Sequence, residues 1–151
     1  MEFSQSSDTK LNIRPSFDET YLEVAKTISK RADCTRSKVG AVLVSKDHRC
    51  SLGYNGAPPG APGCLTENAC PRGRMSYEEL PALNGNYSQN CIAIHAERNA
   101  ILRADPEIRK DATLYVTRSP CRDCQLFAVA NGISRFVWYT PDGKIASMRI
   151  F

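Results

Sequence analysis

Two short motifs, His95-Ala96-Glu97 and Pro120-Cys121-Arg122-Asp123-Cys124, constrain this chain more than any other feature. Two cysteines three apart at the start of a helix turn their sulfurs the same way, and a helix N-terminus favours the thiolate that a metal needs. The chain holds only two histidines, so a site completed by a ring nitrogen has few donors to draw on. With His95 as that donor, the fold must bring the starts of two separate helices side by side. Three protein ligands leave the fourth position of a tetrahedral zinc for water, the arrangement of a reactive site and not of a closed structural one.

The rest of the pattern is consistent with such a fold. Ser16-x-x-Glu19 is a capping box, and Phe17, Tyr21, Val24, Ala25, Ile28 and Ala32 follow at helical spacing, which predicts an amphipathic helix over 16–33. Short apolar runs from Val39 to Ser45 and from Cys50 to Tyr54, turned at Lys46-Asp47-His48, read as a hairpin. Residues 55–91 hold most of the glycines and prolines and no sustained period, which predicts a long loop or insertion. A helix from Ile94 to Arg103 stops before Asp105-Pro106, and Leu114 to Thr117 forms a strand. A further helix from Pro120 to Asn131 has Ser119 as its N-cap and Gly132 as its stop, and Arg135 to Thr140 forms another strand. From Pro141 onward there is no clear signal. This order suggests a mixed sheet covered by helices, one domain over 16–151 behind a flexible tail of residues 1–15.

Composition narrows the function classes. No apolar run approaches the roughly 18 residues of a membrane span, and the polar first residues lack the apolar core of a signal peptide, so the expected location is cytoplasmic. In that reducing setting seven cysteines favour metal ligation or free thiols over a disulfide framework. The net charge of +4 is a mild bias that suits a small phosphate-bearing substrate. Stable nucleic-acid binding is not expected, because Tyr77, Tyr87, Trp138 and Tyr139 are scattered and form no basic aromatic groove.

A zinc ion lowers the pKa of bound water to about 7. Glu97, two residues beyond His95, is placed to take the water proton and deliver it to the ring nitrogen of an aminated base, after which ammonia leaves. On these motifs, and on Cys34-Thr35-Arg36-Ser37-Lys38-Val39-Gly40-Ala41, Gly53-Tyr54-Asn55-Gly56-Ala57-Pro58-Pro59-Gly60, Ile94 to Ile101 and Thr113 to Cys121, the chain resembles the cytidine and deoxycytidylate deaminase family, most closely its deoxycytidylate (dCMP) branch. The blocks keep the family's order and span about residues 16–140.

The resemblance implies a three-layer α/β/α, cytidine-deaminase-like fold with a central mixed sheet of about five strands. It implies hydrolytic deamination of dCMP to dUMP, with a catalytic zinc on His95, Cys121 and Cys124 and with Glu97 moving protons. Asn55 is expected at the nucleotide sugar, Ala96 and Glu97 at the base, and the 55–60 loop at the phosphate end and, in regulated members, at an allosteric site for dCTP or dTTP. Ser119 stands with Arg118 at the substrate mouth. Arg118 departs from the family pattern, and its fixed charge is read either as a phosphate contact or as a solvated strand end. Similar dCMP deaminases also carry a structural zinc that ties the insertion, about 56–91 here, to the body. The resemblance puts that second metal on Cys34, Cys64, Cys70 and Cys91, with Cys50 left as a small buried hydrophobe; the alternative is that all are free thiols. A homo-oligomer is expected by the same analogy, and a C-terminal helix of longer relatives is expected to be short or missing. Three other functions stay open: deamination of another free amino-base, nucleoside or modified nucleotide, deamination of a base within a nucleic acid, and a non-enzymatic zinc module.

Overall fold

The structure is a computed structural model that describes residues 13–80 and 91–150; most of the tail expected over 1–15 and the later part of the insertion lie outside the described residues. The first helix, α1 (Phe17–Ser29), starts where the capping box places it, with the Ser16 hydroxyl accepting from the Glu19 N–H at 3.1 Å. It ends four residues before the expected Asp33. Arg31 and Ala32 close a tighter turn on the Ile28 and Ser29 carbonyls, and the Asp33 N–H is drawn to the Asn55 carbonyl at 2.9 Å. A tertiary bond thus replaces the next helical one.

Five strands, β1 (Gly40–Val44), β2 (Cys50–Tyr54), β3 (Thr113–Val116), β4 (Arg135–Tyr139) and β5 (Ile145–Arg149), form one sheet in the order β2-β1-β3-β4-β5. Only the β3–β4 pair is parallel, so the sheet is mixed as expected. All of β1 is buried, because its side chains alternate between two covered faces. Val42 and Val44 pack with Leu22 and Ala25 of α1, together with Tyr115 and Val137. On the other face Ala41 and Leu43 pack with Ala96, Ala100 and Ile101 of α3 (Ala96–Leu102) and Ala128 of α5 (Arg122–Ala130). This is the three-layer arrangement. Two glycines let the layers close: a Cβ on Gly40 would lie 1.9 Å from the Ala25 carbonyl oxygen, and one on Gly53 would lie 2.2 Å from that of Ala96.

Several elements differ from the sequence reading. A four-residue helix, α2 (Cys64–Glu67), lies within the insertion. Another, α4 (Pro106–Arg109), begins where the sequence showed only a stop: Asp105 caps it by accepting from the Ile108 N–H at 3.0 Å, and Pro106 occupies its first position. The fifth strand replaces the missing C-terminal signal. As a mostly exposed edge strand β5 has no apolar alternation to read. The N-cap of α5 is Cys121, not Ser119, and its Sγ accepts from the Cys124 N–H at 3.4 Å. Cys50 is exposed on the outward-facing side of β2, not buried.

Candidate metal centre and active site

The starts of α3 and α5 meet. His95 is the N-cap of α3 and Cys121 that of α5, so the two expected metal-binding segments each enter a helix at one place. The ring of His95 makes no cap bond and instead turns its Nδ1 to Cys124 Sγ at 3.3 Å and Cys121 Sγ at 3.6 Å. A tetrahedral zinc with Zn–S near 2.3 Å and Zn–N near 2.05 Å sets the S···N distance at roughly 3.5 Å. The three donors therefore fit such an ion.

The charge balance agrees with the spacing. Glu97 is 4 % exposed and its carboxylate joins His95, Cys121 and Cys124 in a group whose ligand atoms all lie within 4.8 Å of one another. Burial, and then the Glu97 carboxylate, pushes the Cys124 thiol well above the ordinary thiol range. Acid groups gathered out of water need a compensating cation. No other described group of three or more such residues comes this close together.

A cavity of about 270 Å³ opens beside this cluster, lined by His95, Ala96, Glu97 and Cys121 on the metal side and by Asn55, Arg118 and Ser119 beyond it. Every candidate ligand, catalytic or substrate-binding residue named from the sequence borders it except Cys124, which is fully buried. Asn55, which lines the cavity, is also held by the backbone. Its Oδ1 accepts from the Val39 N–H and its Nδ2 donates to the Ser37 carbonyl, both at 2.9 Å, so it braces the segment leading into β1.

Cys34, Cys64, Cys70 and Cys91 line the same cavity. Cys64 and Cys70 are buried, Cys34 and Cys91 half-buried. Cys34 Sγ accepts from the Arg36 and Ser37 N–H groups at 3.3 and 3.4 Å. Burial pushes the Cys70 thiol up, but the N–H groups of Ile92 and Gly73, with Cys91 and Cys64, outweigh it and hold Cys70 below the usual thiol range. The insertion is anchored here by Asp33, whose Oδ1 accepts from Leu65 and Thr66 N–H at 2.6 and 3.1 Å.

Three positioning residues had no role in the sequence reading. Asn99 Nδ2 donates to the Tyr54 carbonyl at 2.8 Å and ties α3 to the end of β2. Thr117 Oγ1 accepts from the Gly40 N–H at 3.2 Å and joins β3 to β1 at the mouth. Ser37 links Asn55 to Arg118, whose Nη1 donates to its hydroxyl at 3.2 Å.

Comparison with known proteins gives the same picture. The model of the cytidine and deoxycytidylate deaminase zinc-binding region matches residues 15–140. Deoxycytidylate deaminase of Mycobacterium phage D29 is 50% identical over 129 residues, covering 83% of this chain and 95% of that protein. The Schizosaccharomyces pombe deoxycytidylate deaminase is 36% identical over 139 residues, 89% of this chain but only 41% of that longer protein. Among solved structures, the dCMP deaminase of cyanophage S-TIM5 in complex with dCMP and dUMP superposes with a TM-score of 0.61 at 26% identity, covering 85% of this chain and 84% of that one. With ligand geometry, sheet order and sequence all in agreement, the chain belongs to the zinc-dependent cytidine and deoxycytidylate deaminase family.

Proposed function

We propose that this protein converts dCMP and water to dUMP and ammonia. The observation that carries this reading is the buried Glu97 carboxylate, set within 4.8 Å of three zinc-type donors and bordering an open cavity. A closed structural site has no use for a carboxylate beside it. His95, Cys121 and Cys124 would hold the zinc, which when bound supplies Lewis acidity and lowers the pKa of water to about 7. Glu97 takes a proton from the attacking water and delivers it to N3 of the cytosine ring. A C4–O bond forms, the C4–N bond breaks, and the second water proton, again carried by Glu97, leaves with the amino group as ammonia. Ala96 and Ser119 line the cavity where the ring would lie, and Asn55, braced on Val39 and Ser37, lines the wall toward the sugar.

A structural zinc on Cys34, Cys64, Cys70 and Cys91 belongs to the same proposal. It would require sulfurs about 3.8 Å apart, so the four neighbours would draw together around the ion and pin the insertion to the body. Homo-oligomerisation, control by dCTP and dTTP and a cytoplasmic location rest on the likeness to the family; among the described residues no helix is long and apolar enough to cross a membrane.

The test is ammonia release by zinc-replete protein from dCMP, dCTP, deoxycytidine, cytosine, guanine and a cytosine-containing oligonucleotide. Selective turnover of dCMP is the expected result. Preference for another member of the set would move the substrate while keeping the zinc chemistry, and inactivity on all six would contradict the proposal.

A further inference from the structure

Three arginines, Arg36, Arg72 and Arg118, border the cavity, and Glu97 is the only carboxylate among its described lining residues. The cavity therefore carries a surplus of positive charge suited to an anionic substrate group. The three guanidinium groups are not equivalent. Arg36 is committed to the insertion: its Nη2 donates to the Arg72 carbonyl at 3.0 Å and also to the Met75 carbonyl, and its guanidinium lies over the Tyr77 ring at 5.0 Å. Arg72 is itself part of that insertion.

Arg118 comes from the body of the domain, two residues after β3 and three before the metal ligand Cys121. It is exposed at the mouth, and its Nη1 donates to Ser37 Oγ at 3.2 Å. The same Ser37 accepts through its carbonyl from Asn55 Nδ2 at 2.9 Å. The guanidinium is thereby linked to the cavity wall that Ser37 and Asn55 form, and Arg118 lines the cavity itself. A planar fork of donors with a permanent charge is the group best suited to a phosphate oxygen pair.

We propose that Arg118, oriented by Ser37, reads the 5′-phosphate and sets the preference of this site for a nucleoside monophosphate over the bare nucleoside. The inference rests on the dCMP reading and adds to it the residue that enforces the phosphate requirement. Because Arg118 acts on binding and takes no part in proton transfer, its loss should raise KM far more than it lowers kcat.

The experiment compares kcat and KM for dCMP and deoxycytidine in the zinc-replete wild type and in Arg118→Leu, Arg118→Gln, Arg118→Lys and Ser37→Ala. Calorimetric titration with dUMP and deoxyuridine on the same proteins gives a readout that needs no turnover. Losing a charge-assisted contact to phosphate predicts a fall of about 10- to 100-fold in the dCMP-to-deoxycytidine ratio of kcat/KM for the Leu and Gln variants, seen mainly in KM. The Lys variant should recover part of the ratio, and Ser37→Ala should move it the same way by less. The dUMP-to-deoxyuridine affinity ratio should fall in parallel. An unchanged ratio in folded Leu and Gln variants, or equal losses on both substrates, would overturn the assignment. Should the wild type leave dCMP untouched, the deamination reading is what fails, and the dUMP titration still decides whether Arg118 reads phosphate.

Discussion

Gly53→Ala is the most exacting test of how the fold positions the site. Gly53 lies outside the left-handed region, so the substitution costs space and not backbone strain. The added methyl would stand 2.2 Å from the Ala96 carbonyl oxygen, 2.4 Å from the Ala100 amide nitrogen and 3.0 Å from the Ala100 Cα. All three are backbone atoms of α3, so no side chain can swing away. Restoring contact near 3.5 Å requires β2 and α3 to separate by roughly 1 Å. The helix has little freedom to comply: Ala96, Ala100 and Ile101 are fully buried, Ser51 Oγ donates to the Ala100 carbonyl at 2.6 Å, and Asn99 holds the Tyr54 carbonyl. Overpacking of this kind costs about 1–3 kcal/mol, and for a domain of this size that is a fall in Tm of roughly 2–12 °C. The same displacement moves His95 and Glu97 away from Cys121 and Cys124, and a 1 Å misplacement costs about 100-fold in rate. Thermal melts of the zinc-loaded proteins, bound-zinc analysis and kcat/KM on dCMP measure all three effects. A Gly53→Ala protein with wild-type Tm and wild-type kcat/KM would refute the claim that β2 sets the position of α3.

Other consequences follow from particular side chains. Asp18 receives both terminal nitrogens of Arg135, at 2.9 and 2.7 Å, and the Tyr115 hydroxyl at 2.8 Å, and the Arg135 bond in particular holds its carboxyl below the usual carboxylate range. That stabilisation is present above the unfolded carboxylate pKa of about 3.9 and is lost as the pH falls through the lower folded value. Asp18→Asn should therefore lower the unfolding free energy measured by urea titration at pH 7 by about 1–3 kcal/mol, with the gap to wild type narrowing in acid; a gap that persists unchanged at pH 3 would rule this out. Glu97→Gln should keep its zinc while losing about 100- to 10,000-fold in kcat, checked by elemental analysis beside turnover, and full activity would remove Glu97 from the chemistry. Fully loaded protein should carry two zinc equivalents, and Asp33→Ala, which uncaps α2 beside Cys64, should release the second to a chelator faster than wild type. One equivalent in fully active, metal-replete protein would dismiss the second site.

The clustering of His95, Glu97, Cys121 and Cys124 was legible in the sequence because metal ligation uses scarce residue types at fixed spacing. His95, Cys121 and Cys124 fall together as expected, and β1 was readable because a continuous apolar run has few uses other than a buried strand. What escaped notice depends on contacts distant in sequence. The short helix α2 is capped by Asp33, about thirty residues away in the chain, and Asn55 is spent on Val39 and Ser37. Strand β5 pairs with β4 through backbone bonds while exposing most of its side chains, so burial left no periodic trace in its residues. Cys50 shows the reverse error: a thiol on a strand suggested burial, but β2 is an edge strand and turns that side outward.

The origin of the carbonyl oxygen in the product decides the hydrolytic claim. Zinc-replete protein acting on dCMP in ¹⁸O-water should yield dUMP with one labelled oxygen in the base and one ammonia for each dUMP formed. Unlabelled dUMP, or no dUMP at all from fully loaded protein, would contradict it.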